Sequence, residues 1–161
     1  MNGTQVLVSA LKSTHHLVNW FIADLSDADL LVRPVVGANH IAWQLGHLIA
    51  SERGLAKQIP GTVYPALPDG FEARHTKDTS ALDVGFLTKA EYVAQLDATR
   101  AATIAAIERL TDADLDTATA GPMVAFAPNL GALTLLVANH VMMHAGQFTT
   151  VRRKLGKPVL F

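Results

Sequence analysis

The length, composition and charge of the chain limit what it can be. Its 161 residues, 50% of them hydrophobic, are enough for one domain with a sizeable core, so we expect a single domain over residues 1–161. The net charge of −1 gives no reason to expect a nucleic acid as partner. The lack of cysteine excludes disulfides, cysteine-bound metals and cysteine nucleophiles. No stretch resembles a signal peptide or an uninterrupted membrane span, so we expect a cytoplasmic protein with no membrane partner.

Two amphipathic helices are predicted in the first half of the chain. Apolar residues recur at helical spacing over residues 4–25, and again over roughly His40 to Lys57, where Asn39 is the predicted N-cap. From Ile59 to Phe86 the periodicity disappears, and prolines and glycines interrupt the chain. A connection of this length inside one domain is typical of a crossover or of a lid over a site.

Two further helices are predicted in the second half. Thr88 and Glu91 have the spacing of a capping box at the start of a helix that ends near Leu110. The last helix runs from Leu130 to Leu155, with basic residues in its final turn and Gly156 after it.

The two halves share a short sequence pattern. LSDADL at 25–30 and LTDADL at 110–115 each follow a long helix, and each precedes a loop and a helix that carries histidine. The chain therefore looks like two similar helical hairpins, which predicts an all-α four-helix bundle with a long crossover between helices 2 and 3. In this pairing His47 corresponds to His140, and Ser51 corresponds to His144.

The last helix carries two histidines on the face predicted to be buried. His140 and His144 are four residues apart, so both rings can reach one point beside the helix. Buried imidazoles need partners, and a divalent metal is the simplest shared partner. His47, on the predicted inner face of the second helix, is the candidate third ligand.

Three neutral nitrogen ligands would leave an open position on the metal, which is typical of catalytic rather than structural sites. Zinc suits such a ligand set, while nickel, iron(II), manganese and copper stay open. The uncompensated charge of the metal favours a bound hydroxide or thiolate. Val141 stands where an HExxH protease has its glutamate, so a protease of that type is rejected. The alternative is that these histidines are core residues satisfied by carbonyl groups or water.

The other histidines are expected to have no part in such a site. His15 and His16 are adjacent, so at most one faces inward. His40 is expected at the surface. His75 is expected to face solvent in the long connection, although a lid could bring it over a metal.

Several other residues near the candidate ligands have two interpretations. Glu52 is expected to face solvent and pair with a cation, with a hydrogen bond to a ligand imidazole as the alternative. Trp43 is expected in the core or at a substrate pocket. Met142 and Met143 are expected to pack against neighbouring helices. The charged turn at 152–154 is expected to do no more than suit the helix end.

Two segments resemble a known family. IAWQLGHLIASERG at 41–54 and NHVMMHAGQFTTVRRKLGKP at 139–158 are similar to the DinB-like (DinB/YfiT-like) superfamily of metalloenzymes. The resemblance implies a four-helix bundle that holds zinc, nickel or a similar ion through His47, His140 and His144. It also implies a homodimer. Relatives include transferases that use bacillithiol and a maleylpyruvate isomerase that uses mycothiol.

The sequence therefore predicts a metal-dependent enzyme that acts on a small-molecule substrate. Its partner is predicted to be a low-molecular-weight thiol in an S-transfer reaction, or water in a hydrolysis, and no catalytic residue beyond the ligands is assigned. The competing hypothesis is a non-catalytic bundle that dimerises or binds a small molecule, in which any metal is structural.

Overall fold

The fold is built from helices, and the computed structural model describes residues 1–160 of the chain. Four long helices are joined by two short ones: α1 (Gly3–Ile22), α2 (Asp27–Leu30), α3 (Ile41–Ala56), α4 (Phe71–Arg74), α5 (Lys89–Ile107) and α6 (Leu130–Lys154). Turns of 3₁₀-helix lie at Lys77–Thr79 and Ala113–Asp116. Residues 1–160 contain no strand, only an isolated bridge between Ala118 and Asn129. The predicted all-α fold is confirmed.

The four long helices pack around a common core. Helix α1 lies against α5 and α6, and α3 lies against the same two helices from the other side. Residues 57–88 form the crossover between α3 and α5, which are the second and third long helices, as predicted. None of the helices within residues 1–160 has the length and apolar character needed to cross a membrane.

The repeated LxDADL pattern makes the same pair of capping hydrogen bonds twice, at the start of α2 and before the 3₁₀ turn at Ala113–Asp116. The Ser26 hydroxyl accepts from the Asp29 backbone N–H at 3.1 Å, and the Asp29 carboxylate accepts from the Ser26 N–H at 2.8 Å. Thr111 and Asp114 make the same reciprocal pair at 3.3 and 2.7 Å. The two turns therefore begin alike, because a hydroxyl and a carboxylate three residues apart satisfy each other's backbone donors.

The start of α3 corrects two predictions. Its N-cap is His40 and not Asn39, because the His40 Nδ1 accepts from the Trp43 backbone N–H at 3.1 Å. His40 is also fully buried and not at the surface, since its Nε2 lies 2.9 Å from the carbonyl oxygen of Leu82 in the crossover.

His75 connects the crossover to both α3 and α5. It is buried, so the prediction that it faces solvent is wrong. Its Nδ1 lies 2.7 Å from the carbonyl oxygen of Phe71, and its Nε2 lies 2.7 Å from the hydroxyl of Tyr92. The ring occupies the space left by Gly46, where an added Cβ would come within 2.1 Å of it. Gly46 therefore makes room for the crossover on the surface of α3.

Two ion pairs, one buried and one partly exposed, connect distant parts of the bundle. Glu52 is only 3% exposed and binds Arg100 of α5 through hydrogen bonds of 2.8 to 3.2 Å, so its predicted exposure is wrong although its cation pairing is found. Arg152 is buried as well and pairs with Asp24. The basic turn at the end of α6 therefore does more than suit the helix end. It ties α6 to the segment that follows α1.

The adjacent methionines of α6 also differ from expectation. Met142 is 47% exposed and Met143 is 56% exposed, so neither packs fully against a neighbouring helix. Folded proteins expose a large amount of apolar surface, so the hydrophobic character of a methionine does not by itself predict that it is buried.

Candidate metal centre

Three histidines from two helices converge where α3 packs against α6. His47 of α3 and His140 and His144 of α6 each offer a ring nitrogen, and these atoms lie within 4.8 Å of one another. The ring centroids are 4.8 to 5.3 Å apart. The group could hold a metal ion, and the three residues are those singled out in the sequence.

The two histidines of α6 are brought together by helix geometry. One helical turn separates them, so their rings lie on the same face, and their Nε2 atoms are 3.2 Å apart. His144 is buried, whereas His140 is partly exposed. The packing of α3 against α6 places His47 opposite this pair.

Gln44 of α3 fixes the orientation of His144. Its Oε1 accepts from His144 Nδ1 at 2.7 Å, while its own Nε2 donates to the carbonyl oxygen of Asn39 at 2.9 Å. The second hydrogen bond sets which end of the amide faces the imidazole. His144 therefore carries its proton on Nδ1 and directs the lone pair of Nε2 toward His140.

His47 is held from several sides. The Trp43 ring stacks on it with centroids 4.9 Å apart and an interplanar angle of 7°, and Trp43 is itself anchored by an Nε1 hydrogen bond to the carbonyl oxygen of Thr76 at 3.1 Å. The Ser51 hydroxyl lies 3.5 Å from His47 Nε2. Trp43 is therefore buried and supports a histidine, with its polar end tied to the crossover.

Burial keeps the three imidazoles uncharged. Burial is the larger cause and repulsion from the neighbouring imidazoles the smaller one, and together they lower the pKa of His140 to about 4 and that of His144 to about 3. Burial also lowers the pKa of His47, against a hydrogen bond with the backbone of His75 that raises it. All three rings are therefore neutral at physiological pH, which is the form that binds metal.

A cavity of about 410 Å³ opens onto two of the three histidines, His47 and His140. Its walls come from α3, from α6 and from the loop before α6, and the lining residues are His47, Ser51, Gly54, Leu55, Met123, Leu136 and His140. A larger groove of about 600 Å³ lies at the surface beside the exposed ion pair of Lys12 and Glu108 and includes none of the three histidines. The smaller cavity gives solutes a route to the histidine group.

The remaining candidates lie outside the group. The ring of His75 contacts Phe71 and Tyr92, and Glu52 is occupied by Arg100. His15 is partly buried and pairs with Asp97 at 2.8 Å, while His16 is exposed, so at most one of the two faces inward, as predicted.

Gln44 is the site residue that sequence reasoning missed. The signal that could have found it is its position one turn before His47 in a stretch that is otherwise apolar. A buried amide there needs partners, and an imidazole on the facing helix is one.

Comparison with known proteins identifies the family. The model of the DinB superfamily matches residues 10–148, a span that includes all three histidines and Gln44. Among solved structures, the chain is similar to a conserved protein from Enterococcus faecalis, with a TM-score of 0.68 and 16% identity over 98% of this chain and 99% of that one. At this identity the similarity shows the fold alone. No curated protein matches the sequence.

Proposed function

Because this chain belongs to the DinB superfamily, we propose that it is a metal-dependent enzyme in which His47, His140 and His144 hold a divalent cation. The proposed ion is zinc or nickel, with at least one coordination position left for substrate. The proposed reaction is transfer involving a low-molecular-weight thiol, and hydrolysis is the second candidate.

The observation that carries this proposal is the convergence of three neutral imidazoles at the end of a cavity. Two imidazoles on a tetrahedral zinc, with bonds of about 2.0–2.1 Å, have their nitrogens about 3.3 Å apart. The 3.2 Å between the Nε2 atoms of His140 and His144 fits that value. The full set, within 4.8 Å, is somewhat wider.

The residues around the histidines also fit a metal site. Ligand histidines usually donate their other ring N–H to a carbonyl or carboxylate, which fixes the ring and raises its basicity. Gln44 supplies this contact for His144.

When bound, the cation would supply Lewis-acid chemistry, lowering the pKa of a coordinated thiol or water. The protein's part is to hold the three imidazoles and to provide the apolar wall of the cavity. Of the residues within 1–160 that line the cavity, none carries a carboxylate that could take a proton. A thiol, with a pKa of about 8.5, needs less help to ionise than water, with a pKa of about 15.7, which favours thiol transfer over hydrolysis.

The alternative is a bundle in which a metal only stabilises the fold. Such structural sites are typically closed by four protein ligands. The enzymatic proposal is supported over this alternative by a group of three histidines and by the cavity that reaches two of them.

Metal content tests the ligand assignment. We expect protein purified without a histidine tag to hold about one divalent ion per chain, and His144→Ala to lose it, because two imidazoles bind far more weakly than three. The control is His16→Ala, which removes an exposed histidine outside the group. Equal stoichiometric metal in wild type and His144→Ala would refute the assignment.

A thiol screen tests the reaction. Metal-loaded protein is incubated with an electrophile and bacillithiol, mycothiol or glutathione, and S-conjugates are measured by mass spectrometry. We expect turnover with at least one thiol that stops when a chelator removes the metal. No metal-dependent conjugate with any of them would count against thiol transfer.

A further inference from the structure

We infer that the cavity beside the three histidines receives an uncharged, apolar part of the substrate. This inference rests on the proposed function, because it names the substrate class for the same site. The inference follows from the residues that line the cavity and from the separation of its polar and apolar lining groups.

The wall away from the histidines is apolar. Leu55 of α3, Leu136 of α6 and Met123 of the preceding loop line it, together with Gly54. No ammonium, guanidinium or carboxylate from residues 1–160 is part of the lining. A charged group placed there would lose its hydration without gaining a counterion, whereas an alkyl or aryl group would gain about fourfold in affinity for each buried methylene.

The polar groups of the cavity are concentrated at its other end. Ser51 Oγ lies 3.5 Å from His47 Nε2, and His140 completes this polar wall. The lining therefore fits a molecule with a polar, reacting end toward the imidazoles and an apolar group toward Met123. The volume of about 410 Å³ is within the range of small-molecule sites.

Gly54 provides a clean way to fill the cavity. A Cβ built at this helical glycine meets no atom within 4 Å, so a larger side chain takes up free space without displacing the helix. Gly146 of α6 is a matched control, because it is also helical, also exposed and also free of contacts within 4 Å, yet it does not line the cavity.

The test uses the metal-free protein labelled with [methyl-¹³C]methionine. Met123 lines the cavity, while Met142 and Met143 are exposed on α6 and do not, so they serve as internal references. The Met123 signal is assigned with Met123→Leu. We expect 1-hexanol to shift this signal saturably, and affinity to rise about fourfold per methylene from 1-butanol to 1-hexanol.

Two comparisons complete the test. Gly54→Leu should weaken 1-hexanol binding about tenfold, and Gly146→Leu should leave it unchanged. Hexane-1,6-diol should bind the wild type about tenfold more weakly than 1-hexanol, because one of its two hydroxyls must lie at the apolar end. An unmoved Met123 signal, equal binding of the diol, or no effect of Gly54→Leu would overturn the inference. Since no metal is present, these outcomes are separate from failure of the metal-content test.

Discussion

Gln44 connects the two helices that carry the histidines, and replacing it tests the site most directly. Gln44→Leu keeps the size of the side chain but removes both of its hydrogen bonds, to His144 Nδ1 at 2.7 Å and to the carbonyl oxygen of Asn39 at 2.9 Å. The His144 ring is then free to rotate or to change tautomer, so its Nε2 lone pair no longer points steadily toward the other two histidines.

The size of the effect follows from these contacts. Loss of a hydrogen-bond partner to a ligand histidine usually lowers metal affinity about 10- to 100-fold, or about 1.4–2.7 kcal/mol. Two buried groups left unpaired each cost about 1–3 kcal/mol, and the added apolar burial of leucine offsets part of this. We expect a net loss in metal-free stability of about 1–3 kcal/mol.

Gln44→Glu should act in the opposite direction on affinity. A carboxylate accepts the Nδ1–H of His144 more strongly and adds a negative charge beside the cation, so metal should bind more tightly. Without metal the buried charge should destabilise the protein. Comparing the two variants therefore separates a change in metal affinity from a change in the stability of the metal-free protein.

The assay is competition for Zn²⁺ with a chromophoric chelator, paired with urea unfolding of the metal-free proteins. Gln147→Leu is the control, since it makes the same change at an exposed position of α6. Wild-type metal affinity in Gln44→Leu would refute the assigned role, and so would equal loss of affinity in Gln44→Leu and Gln44→Glu.

Three further predictions concern stability. Arg100→Met should lower the free energy of unfolding in urea by about 3–5 kcal/mol, because it leaves the Glu52 carboxylate buried without a partner. The double variant with Glu52→Leu should recover most of this loss, and a double variant as unstable as the single one would contradict the prediction. Gly46→Ala should displace His75 and loosen the crossover from α3, because the added Cβ would come within 2.1 Å of the His75 ring. We expect faster proteolysis within residues 57–88, and an unchanged cleavage rate would contradict the prediction. Burial, reinforced by neighbouring imidazoles, lowers the pKa of His144 from 6.5 to about 3, so the unfolded chain takes up a proton that the folded metal-free protein does not. Stability should hold above about pH 6.5 and fall by about 1.4 kcal/mol between about pH 7.5 and 5.5 through this group, a part that His144→Gln should lack; an equal fall in that variant would argue against it.

The sequence predicted those parts of the structure that follow from local periodicity. The long helices, their capping pairs such as Thr88 with Glu91, and the shared face of His140 and His144 all depend on residues a few positions apart. The repeat of LxDADL added the long-range link that selected His47. The thiol partner, the homodimer and the single-domain assignment stay predictions.

The parts that could not be predicted depend on contacts between distant segments. His75 lies in a connection without periodicity, and its burial depends on the space that Gly46 leaves on another element. Glutamate is usually found at the protein surface, and Glu52 is stable in the interior because Arg100 of α5 pairs with it. Such pairings leave no trace in local spacing.

The two hairpins differ in how many histidines they bring to the group, and this difference has a chemical consequence. The four-residue step from His140 to His144 recurs from His47 to Ser51, and Ser51 also lies beside its histidine. A serine side chain is smaller than an imidazole, and Ser51 lines the cavity together with His47 and His140. A histidine at position 51 would instead bring a fourth ring nitrogen to this wall and fill part of the cavity. Four protein ligands are typical of closed structural sites, so the small side chain at position 51 agrees with the proposed open centre.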